Sequence, residues 1–418
     1  MAEIRNFNRN QYLLKGSKST ESAYDDEDER DSQSRDRKSL NSMLARHRQI
    51  KLYTVLGILA IIAVVALCLY FNWKNMVYSD YEVVQQNDWT RAGETKCLNL
   101  SGSLFTYSKD GMSCTDTKGK VVWNQTYEMQ NPMVRTCGRT VAVGDYNGRS
   151  IYVADTQGIL GTIDTAMPIR DFCVSEKGIV ATVLDDSNVT AIYLYSTTDT
   201  SPLVYFKTTM SKSGYPIAID ISGDGTQMAV SYLKAESGKV YSGVGFYNFS
   251  AVGQNYTDNL VGGYGYFDAV VPLIHFMGND TIFAVADNSL MFYQGRQIPE
   301  NTMNITISEE IQSVWYSDTH VGLVFHNQSD ENAYRLDVYD TNARKVSEIY
   351  FDVDYTDILF DTAGIMIRSD NELLIYDWDG RLKYEGGFKE RVVCLLPSGS
   401  ISKYTIVTDN TIQQITLY

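Results

Sequence analysis

NPMVRTC at 131–137, MPIRDFC at 167–173, YPIAIDI at 215–221 and VPLIHFM at 271–277 are four copies of one pattern, a proline followed by a short apolar run. Looser copies occur as EIQSVWY from 310, VDYTDIL from 353 and ERVVCLL from 390. Consecutive copies start 36 to 56 residues apart. Self-similarity at this period is typical of repeat architectures, so the repeat decides the fold.

Each copy is followed by further short strands. A second apolar run comes next, such as VAVGDY or GIVATVL, and then a third strand and a turn, as in ELLIYDWDG. These runs are rich in Val, Ile, Tyr, Phe and Thr, and Asp, Asn and Gly turns separate them every ~8–12 residues. Four strands in a unit of roughly 40 residues predict the blade of a β-propeller.

The number of blades depends on how the ends of the chain meet. An earlier copy begins near Glu94, which gives seven complete units. Residues 390–418 hold only three strands, so a strand from elsewhere must complete the last blade if the ring is to have no open edge. Residues 78–86 (YSDYEVVQQ) are the natural donor. We therefore predict an all-β domain over 78–418 with eight four-stranded blades, or seven if one weak copy is not a blade.

A membrane segment precedes the repeats. Residues 52–71 (LYTVLGILAIIAVVALCLYF) are twenty residues without a charge, enough to cross a hydrocarbon core of ~30 Å as a helix. We predict one transmembrane helix over 51–73. Several basic residues precede it and only Lys74 follows it closely, which predicts a cytoplasmic N-terminus and an extracellular C-terminal domain on the cell membrane. The preceding basic residues are Arg35, Arg37, Lys38, Arg46, Arg48 and Lys51.

Residues 1–50 form the predicted cytosolic tail. Its first 38 residues include the acidic cluster DDEDERD at 25–31 and many Ser, Arg and Asn, a composition that predicts disorder. Residues 39–51 place apolar side chains roughly on one helical face beside basic ones. This pattern indicates a juxtamembrane helix that touches anionic lipid, or only a topology signal.

The repeat style resembles that of WD40-like and PQQ-like propellers, through SGDGTQMAVSYL from Ser222 and D-x-x-G turns such as 116–119 and 155–158. The whole arrangement is similar to an uncharacterised family from Firmicutes, whose members have a cytosolic tail, one span and an extracytoplasmic propeller. The likeness covers nearly the whole chain and is strongest over 120–148 and 243–295. It implies a fold and a topology, and no activity.

The charge excludes one class of partner. Residues 1–51 carry 11 basic and 9 acidic residues, whereas the remainder carries 25 basic and 42 acidic ones, a net charge of −17. Nucleic acid would be repelled by this field, so we expect no nucleic-acid binding by the body.

No catalytic, cofactor or metal motif is recognisable in the body. Its histidines, His275, His320 and His326, are not spaced as metal ligands or as a nucleophile–base pair. The chain lacks the adjacent cysteines that quinone-dependent dehydrogenases with such propellers contain, so the resemblance does not extend to that activity. Cys97 with Cys394, and Cys137 with Cys173, share repeat registers on neighbouring blades. They are small buried thiols or, in an oxidising exterior, disulfides.

The fourth unit, at 56 residues, is the longest, and its extra sequence from 236 to 267 combines glycines with aromatic residues. Rigid aromatic side chains on adaptable loops suit the binding of a protein or a carbohydrate. The alternative is a longer hairpin whose aromatic side chains pack into their own blade. The candidate partner-binding residues are Tyr241, Phe246, Tyr247, Tyr264, Tyr266 and Phe267.

Two functional hypotheses follow. The first is a membrane-anchored binding or scaffolding module that is not an enzyme and recognises an envelope protein or glycan through propeller loops. The second is an enzyme that acts on envelope polysaccharide through carboxylates donated by different blades to the central channel. A convergent carboxylate pair in that channel, with one pKa raised, would favour the second.

Overall fold

The computed structural model describes residues 26–186, 189–199, 201–208, 213–236, 238–267, 269–327 and 332–418. The chain divides into two compact units, Met1–Asn75 and Met76–Tyr418. Helix α1 (Asp26–Lys74) belongs to the first unit, and all the strands described below belong to the second.

Helix α1 begins earlier than the sequence predicts. Composition predicts disorder up to residue 38, whereas the backbone is helical from Asp26 onward. The stretch Ser42–Asn72 is long and apolar enough to cross a membrane, and none of it is buried. Residues 1–25 of the predicted tail lie outside the described residues.

Within the described part of the chain, thirty-two strands form eight antiparallel four-stranded sheets, which are the eight blades of a propeller. Blades 1 to 4 contain β2 (Lys96–Leu100), β3 (Ser103–Tyr107), β4 (Gly111–Thr115) and β5 (Val121–Thr126); β6 (Pro132–Cys137), β7 (Thr140–Asp145), β8 (Ser150–Asp155) and β9 (Ile159–Asp164); β10 (Ile169–Val174), β11 (Ile179–Asp186), β12 (Val189–Ser196) and β13 (Val204–Thr208); β14 (Tyr215–Ile221), β15 (Gln227–Glu236), β16 (Lys239–Asn248) and β17 (Leu260–Phe267).

Blades 5 to 8 complete the ring. They contain β18 (Leu273–Met277), β19 (Thr281–Val285), β20 (Ser289–Gln294) and β21 (Glu300–Thr306); β22 (Ile311–Tyr316), β23 (His320–His326), β24 (Tyr334–Asp340) and β25 (Lys345–Phe351); β26 (Asp357–Asp361), β27 (Gly364–Arg368), β28 (Glu372–Tyr376) and β29 (Leu382–Gly387); β30 (Val392–Ser400), β31 (Lys403–Thr408), β32 (Thr411–Leu417) and β1 (Tyr81–Asp88).

The closure of the ring confirms the prediction made from the last repeat. Strand β1 pairs antiparallel with β32, from Tyr81 opposite Leu417 to Asp88 opposite Thr411. An N-terminal strand therefore completes blade 8, and β2 of blade 1 lies against β30 of blade 8. The prediction of eight blades is confirmed, and the alternative of seven is wrong.

The second strand of most blades is apolar on both faces because each blade packs between two neighbours. All five residues of β19 and all five of β27 are buried, and buried clusters combine side chains from adjacent blades, as Ile192 of β12 and Met228 of β15 do. Burial on both faces explains why these strands are continuous apolar runs rather than alternating ones.

Aspartates set the turns between the third and fourth strands in several blades. The Asp116 carboxylate accepts hydrogen bonds from the backbone N–H groups of Lys118 and Lys120. In blade 7 the Asp377 carboxylate makes the same contacts with Asp379 and Arg381. A carboxylate that bonds its own backbone two residues on fixes a tight turn, so the D-x-x-G motifs are structural.

Candidate functional site

The first strands of five blades converge on a central cavity of about 350 Å³. Strands β6, β10, β14, β18 and β22 supply its walls, so each wall comes from one blade of the run from blade 2 to blade 6. The propeller places the first strand of every blade nearest the axis, and residues 36 to 56 positions apart in the repeat thereby become neighbours.

One ion pair joins blades 2 and 3 in this channel. The Arg135 Nη2 atom lies 2.7 Å from Asp171 Oδ1, which also accepts a hydrogen bond of 2.8 Å from the Phe172 backbone N–H. Burial raises the pKa of the Asp171 carboxyl, although the Arg135 guanidinium opposes the shift. Both contacts are made by the same oxygen of the Asp171 carboxylate.

A second polar pair joins blades 4 and 5. The His275 Nδ1 atom lies 2.8 Å from Asp220 Oδ2, and the backbone N–H of Phe276 donates to the same oxygen at 2.7 Å. Both side chains are largely buried, with 18% and 14% of their surface exposed. The two contacts hold the Asp220 carboxylate in one orientation on the channel wall.

Tyr316 adds an aromatic face from blade 6. Its ring centroid lies 4.4 Å from that of His275 and 5.7 Å from that of Phe283. Burial, followed by the negative charge of Asp220, raises the pKa of the Tyr316 phenol, although 45% of the residue is exposed. The ring therefore packs against His275 and Phe283 and also lines the channel cavity.

Burial raises the pKa of both cysteines near the channel. The pKa of Cys173, on the channel wall, lies well above its ordinary value, and that of Cys137 is raised to about 12. A raised pKa disfavours the thiolate, which is the nucleophilic form of cysteine. All six cysteines are free, so the pairs predicted as thiols or disulfides stand as thiols in this structure.

The six candidate residues of blade 4 fall into two groups. Phe246 and Tyr247 are buried, with 0% and 6% exposed, and Tyr264 and Tyr266 pack against the core that blades 4 and 5 share. Burial removes the first two from any surface that a partner could reach.

Tyr241 and Phe267 make up the other group. Phe267, at the end of β17, is 78% exposed, and its ring centroid lies 5.5 Å from that of Tyr241, which is half-buried. We call this pair the blade 4 surface. Most of the extra length of this unit goes into long strands and two short 3-10 turns, Gly253–Asn255 and Thr257–Asn259.

The remaining two histidines lie away from the channel pairs. The His320 ring stacks on Trp378 at 3.9 Å, and burial lowers the pKa of His320. The His326 ring stacks on Tyr334 at 5.4 Å. Among the described residues no group of three or more His, Cys, Asp or Glu side chains could hold a metal ion.

Sequence reasoning missed the channel site, although the repeat contains a signal for it. Arg135, Asp171 and His275 each stand three positions after the proline of their copy, so they share one register of three first strands. Asp220 stands one position later. Strands β10 and β14 each contain a β-bulge near this point. A bulge changes the direction in which the neighbouring side chains point, so the sequence alone does not show which of them face the channel.

Several solved propellers share this architecture. Sqt1 from Saccharomyces cerevisiae aligns with a TM-score of 0.53 and 10% identity, over 80% of this chain and 99% of that one. The Dos1 propeller aligns with a TM-score of 0.50 and 11% identity, over 80% and 95%. BamB from Moraxella catarrhalis aligns with a TM-score of 0.48 and 11% identity, over 81% and 100%.

The alignments with Sqt1 and the Dos1 propeller show a common fold and nothing about a ligand. A comparison with curated protein sequences finds no match. A family match is extensive, however, because it covers residues 74–417, which include every blade. The chain belongs to the family DUF5711, a family of unknown function.

Proposed function

We propose that this protein is a single-pass protein of the cell membrane whose propeller lies outside the cell and binds a partner of the cell envelope. Helix α1 is the anchor, and the basic residues before its apolar stretch favour a cytoplasmic N-terminus. The propeller supplies a rigid ring on which a binding site can be held.

The arrangement of polar residues in the channel is the main support for this proposal. Two polar pairs, Arg135 with Asp171 and Asp220 with His275, are assembled on first strands before any ligand arrives. Polar groups already oriented on rigid elements lower the entropy that binding costs. A concave site with a few convergent polar groups is also the usual form of a ligand site.

The blade 4 surface is proposed as a second contact. The exposed ring of Phe267 beside Tyr241 offers an aromatic patch at the rim of the propeller. Aromatic residues are enriched where proteins bind partners. Of the six predicted partner-binding residues, this pair is the part that is open to solvent.

Crosslinked capture from envelope membranes tests which surface binds. The full chain serves as bait in four forms: wild type, Asp171→Asn with Asp220→Asn, Tyr241→Ser with Phe267→Ser, and the control Tyr205→Ser, an exposed tyrosine of blade 3. We expect the channel variant to lose most of the captured partner, the rim variant to lose part of it, and the control to lose none. Equal capture by all four forms would exclude both surfaces.

Reporter fusions test the orientation. A phosphatase that is active only outside the cytoplasm, fused after Tyr418, should be active in intact cells, and a cytoplasm-dependent fluorescent protein at the same point should be dark. The reverse result would place the propeller in the cytosol and remove the envelope partner from the proposal.

A second candidate, an enzyme that acts on envelope polysaccharide, is favoured by one observation. Asp171 and Asp220 face the same cavity, and burial raises the pKa of Asp171. A carboxyl with a raised pKa suits a general acid, and a second carboxylate suits a base or a nucleophile. Purified protein incubated with envelope polysaccharide should then release reducing ends, and Asp171→Asn should stop the release. Absence of release by the wild type would leave the binding function alone.

A further inference from the structure

A larger cavity lies beside the channel, between blades 1 and 2. This groove has a volume of about 1100 Å³, and ligand sites usually occupy about 300–1,000 Å³. Its walls come from the segment before β2, the turn between β3 and β4, the start of β6 and the turn after β7. Those segments come from two neighbouring blades.

Strand β6 links the groove to the channel. Its first residues, Pro132 and Met133, line the groove, and the next three, Val134 to Thr136, line the channel cavity. A ligand that follows β6 would therefore pass from one cavity into the other.

The groove carries equal numbers of acidic and basic side chains, although the body is strongly acidic. The groove presents Glu94 and Asp110 together with Lys96 and Lys109. In the channel each carboxylate already has its own partner, as described above. A polycation or a polyanion would find no excess of opposite charge here, whereas an uncharged ligand with many hydroxyl groups would find both donors and acceptors.

Tyrosine rings provide the remaining recognition element. Tyr146, 41% exposed, lines the groove, and Tyr316, 45% exposed, lines the channel. A tyrosine combines a flat apolar face with a polar hydroxyl. The apolar face matches the C–H face of a sugar ring, and the neighbouring polar groups match its hydroxyls.

We propose that the groove and the channel form one extended site for a linear, uncharged oligosaccharide, with one end in the channel and the following units along β6 in the groove. This inference rests on the proposed binding function and names the class of its ligand. It differs from the enzymatic alternative because it needs no cleavage.

Isothermal titration calorimetry with sugars of increasing length tests the proposal. The full chain is placed in lipid nanodiscs, because alkyl glycoside detergents carry sugars that would compete. The probes are cello-, chito- and malto-oligosaccharides of one to six units. We expect one series to bind, with affinity rising with length until the groove is filled.

Single variants locate the two ends of the ligand. Tyr316→Ala should weaken binding of short and long members of the series about five- to tenfold, the effect of one lost aromatic contact. Tyr146→Ala should weaken only the longer members by a similar factor. Tyr205→Ala, a tyrosine outside both cavities, should change neither, and unchanged melting temperatures show that each variant is folded.

Two outcomes would overturn the proposal. If affinity does not change with length, or if Tyr146→Ala weakens every member equally, the groove does not extend the channel site. If no oligosaccharide of the three series binds, the ligand class is wrong. Capture of an envelope protein by the wild type and its loss in the channel variant would still support the binding function, so the two failures are distinguishable.

Discussion

The outer strands of blade 4 and the inner strands of blades 2 to 6 differ in what their conspicuous residues do. In blade 4 the aromatic side chains that stand out in the sequence mostly fill the core, as Phe246 and Tyr247 show. On the inner strands, charged residues that look isolated in the sequence meet in one cavity. The aromatic residues of blade 4 mostly stabilise the fold, and we propose that the polar residues that converge on the channel form a binding site.

The two regions also differ in how their residues affect the stability of the fold. A buried aromatic ring stabilises the fold by removing apolar surface from water. A carboxyl group whose pKa is raised by burial, such as Asp171, is less stable as an anion in the folded protein than in the unfolded chain. Residues that cost stability in a cavity are candidates for function, because packing does not explain them.

The largest expected effect belongs to the blade 4 core. Phe246→Ala removes a fully buried ring that lies 4.9 Å from the ring of Tyr293 in blade 5. We expect the free energy of unfolding to fall by about 3–5 kcal/mol. Urea denaturation of residues 76–418, which include all eight blades, measures the change.

Phe267→Ala is the matched control, because the same ring is removed from a 78% exposed position in the same blade. It should change the free energy of unfolding by less than about 0.5 kcal/mol. If both substitutions had equal effects, the division of blade 4 into a packed core and an open surface would be incorrect.

The next effect belongs to the channel. Arg135→Met leaves Asp171 without its guanidinium partner, which should lower the free energy of unfolding by about 1–2 kcal/mol. The loss of unfolding free energy would be larger if the ion pair were completely buried. The Arg135 side chain is 44% exposed, however, so solvent screens its interaction with Asp171. Urea denaturation at pH 7 measures it. Arg135→Met combined with Asp171→Leu should recover most of the loss, and no recovery would show that Arg135 acts through packing on Phe172 instead.

The fold was predictable because its determinants repeat. The four proline-led copies, the three-stranded last unit and the donor strand near 78–86 specify eight blades without reference to any tertiary contact. Where the alignment of one copy is ambiguous, the other copies show where its strands begin. Repetition therefore makes the topology readable even though no single strand is distinctive.

The site was not predictable in the same way. Arg135, Asp171, Asp220 and His275 lie in four different copies, and two of their strands contain bulges that change where side chains point. In blade 4 the failure has another cause. Strand β16 is covered on both faces at Phe246 and Tyr247, so the alternation that separates inward from outward residues is lost.

The smallest effect is a pH dependence that separates the two regions. Burial raises the pKa of Asp171 in the folded protein, so the folded state binds this proton more tightly than the unfolded state does. The stabilisation that this proton provides is therefore fully present below the pKa of Asp171 in the unfolded chain, about 3.9. It is lost as the pH rises through the pKa of Asp171 in the folded protein. One proton gives a slope of at most about 1.4 kcal/mol per pH unit.

The difference in unfolding free energy between the wild type and Asp171→Asn isolates this proton, because the other carboxyl groups titrate in both proteins. We expect the wild type to gain on the variant between pH 7 and pH 4, whereas the difference between the wild type and Phe267→Ala should stay flat. An opposite slope for Asp171→Asn would mean that Arg135 outweighs burial and holds the carboxyl ionised. Arg135 and Asp171 would then form a stabilising ion pair, and the two carboxylates of the channel, Asp171 and Asp220, would lose the distinction between acid and base on which the enzymatic alternative depends.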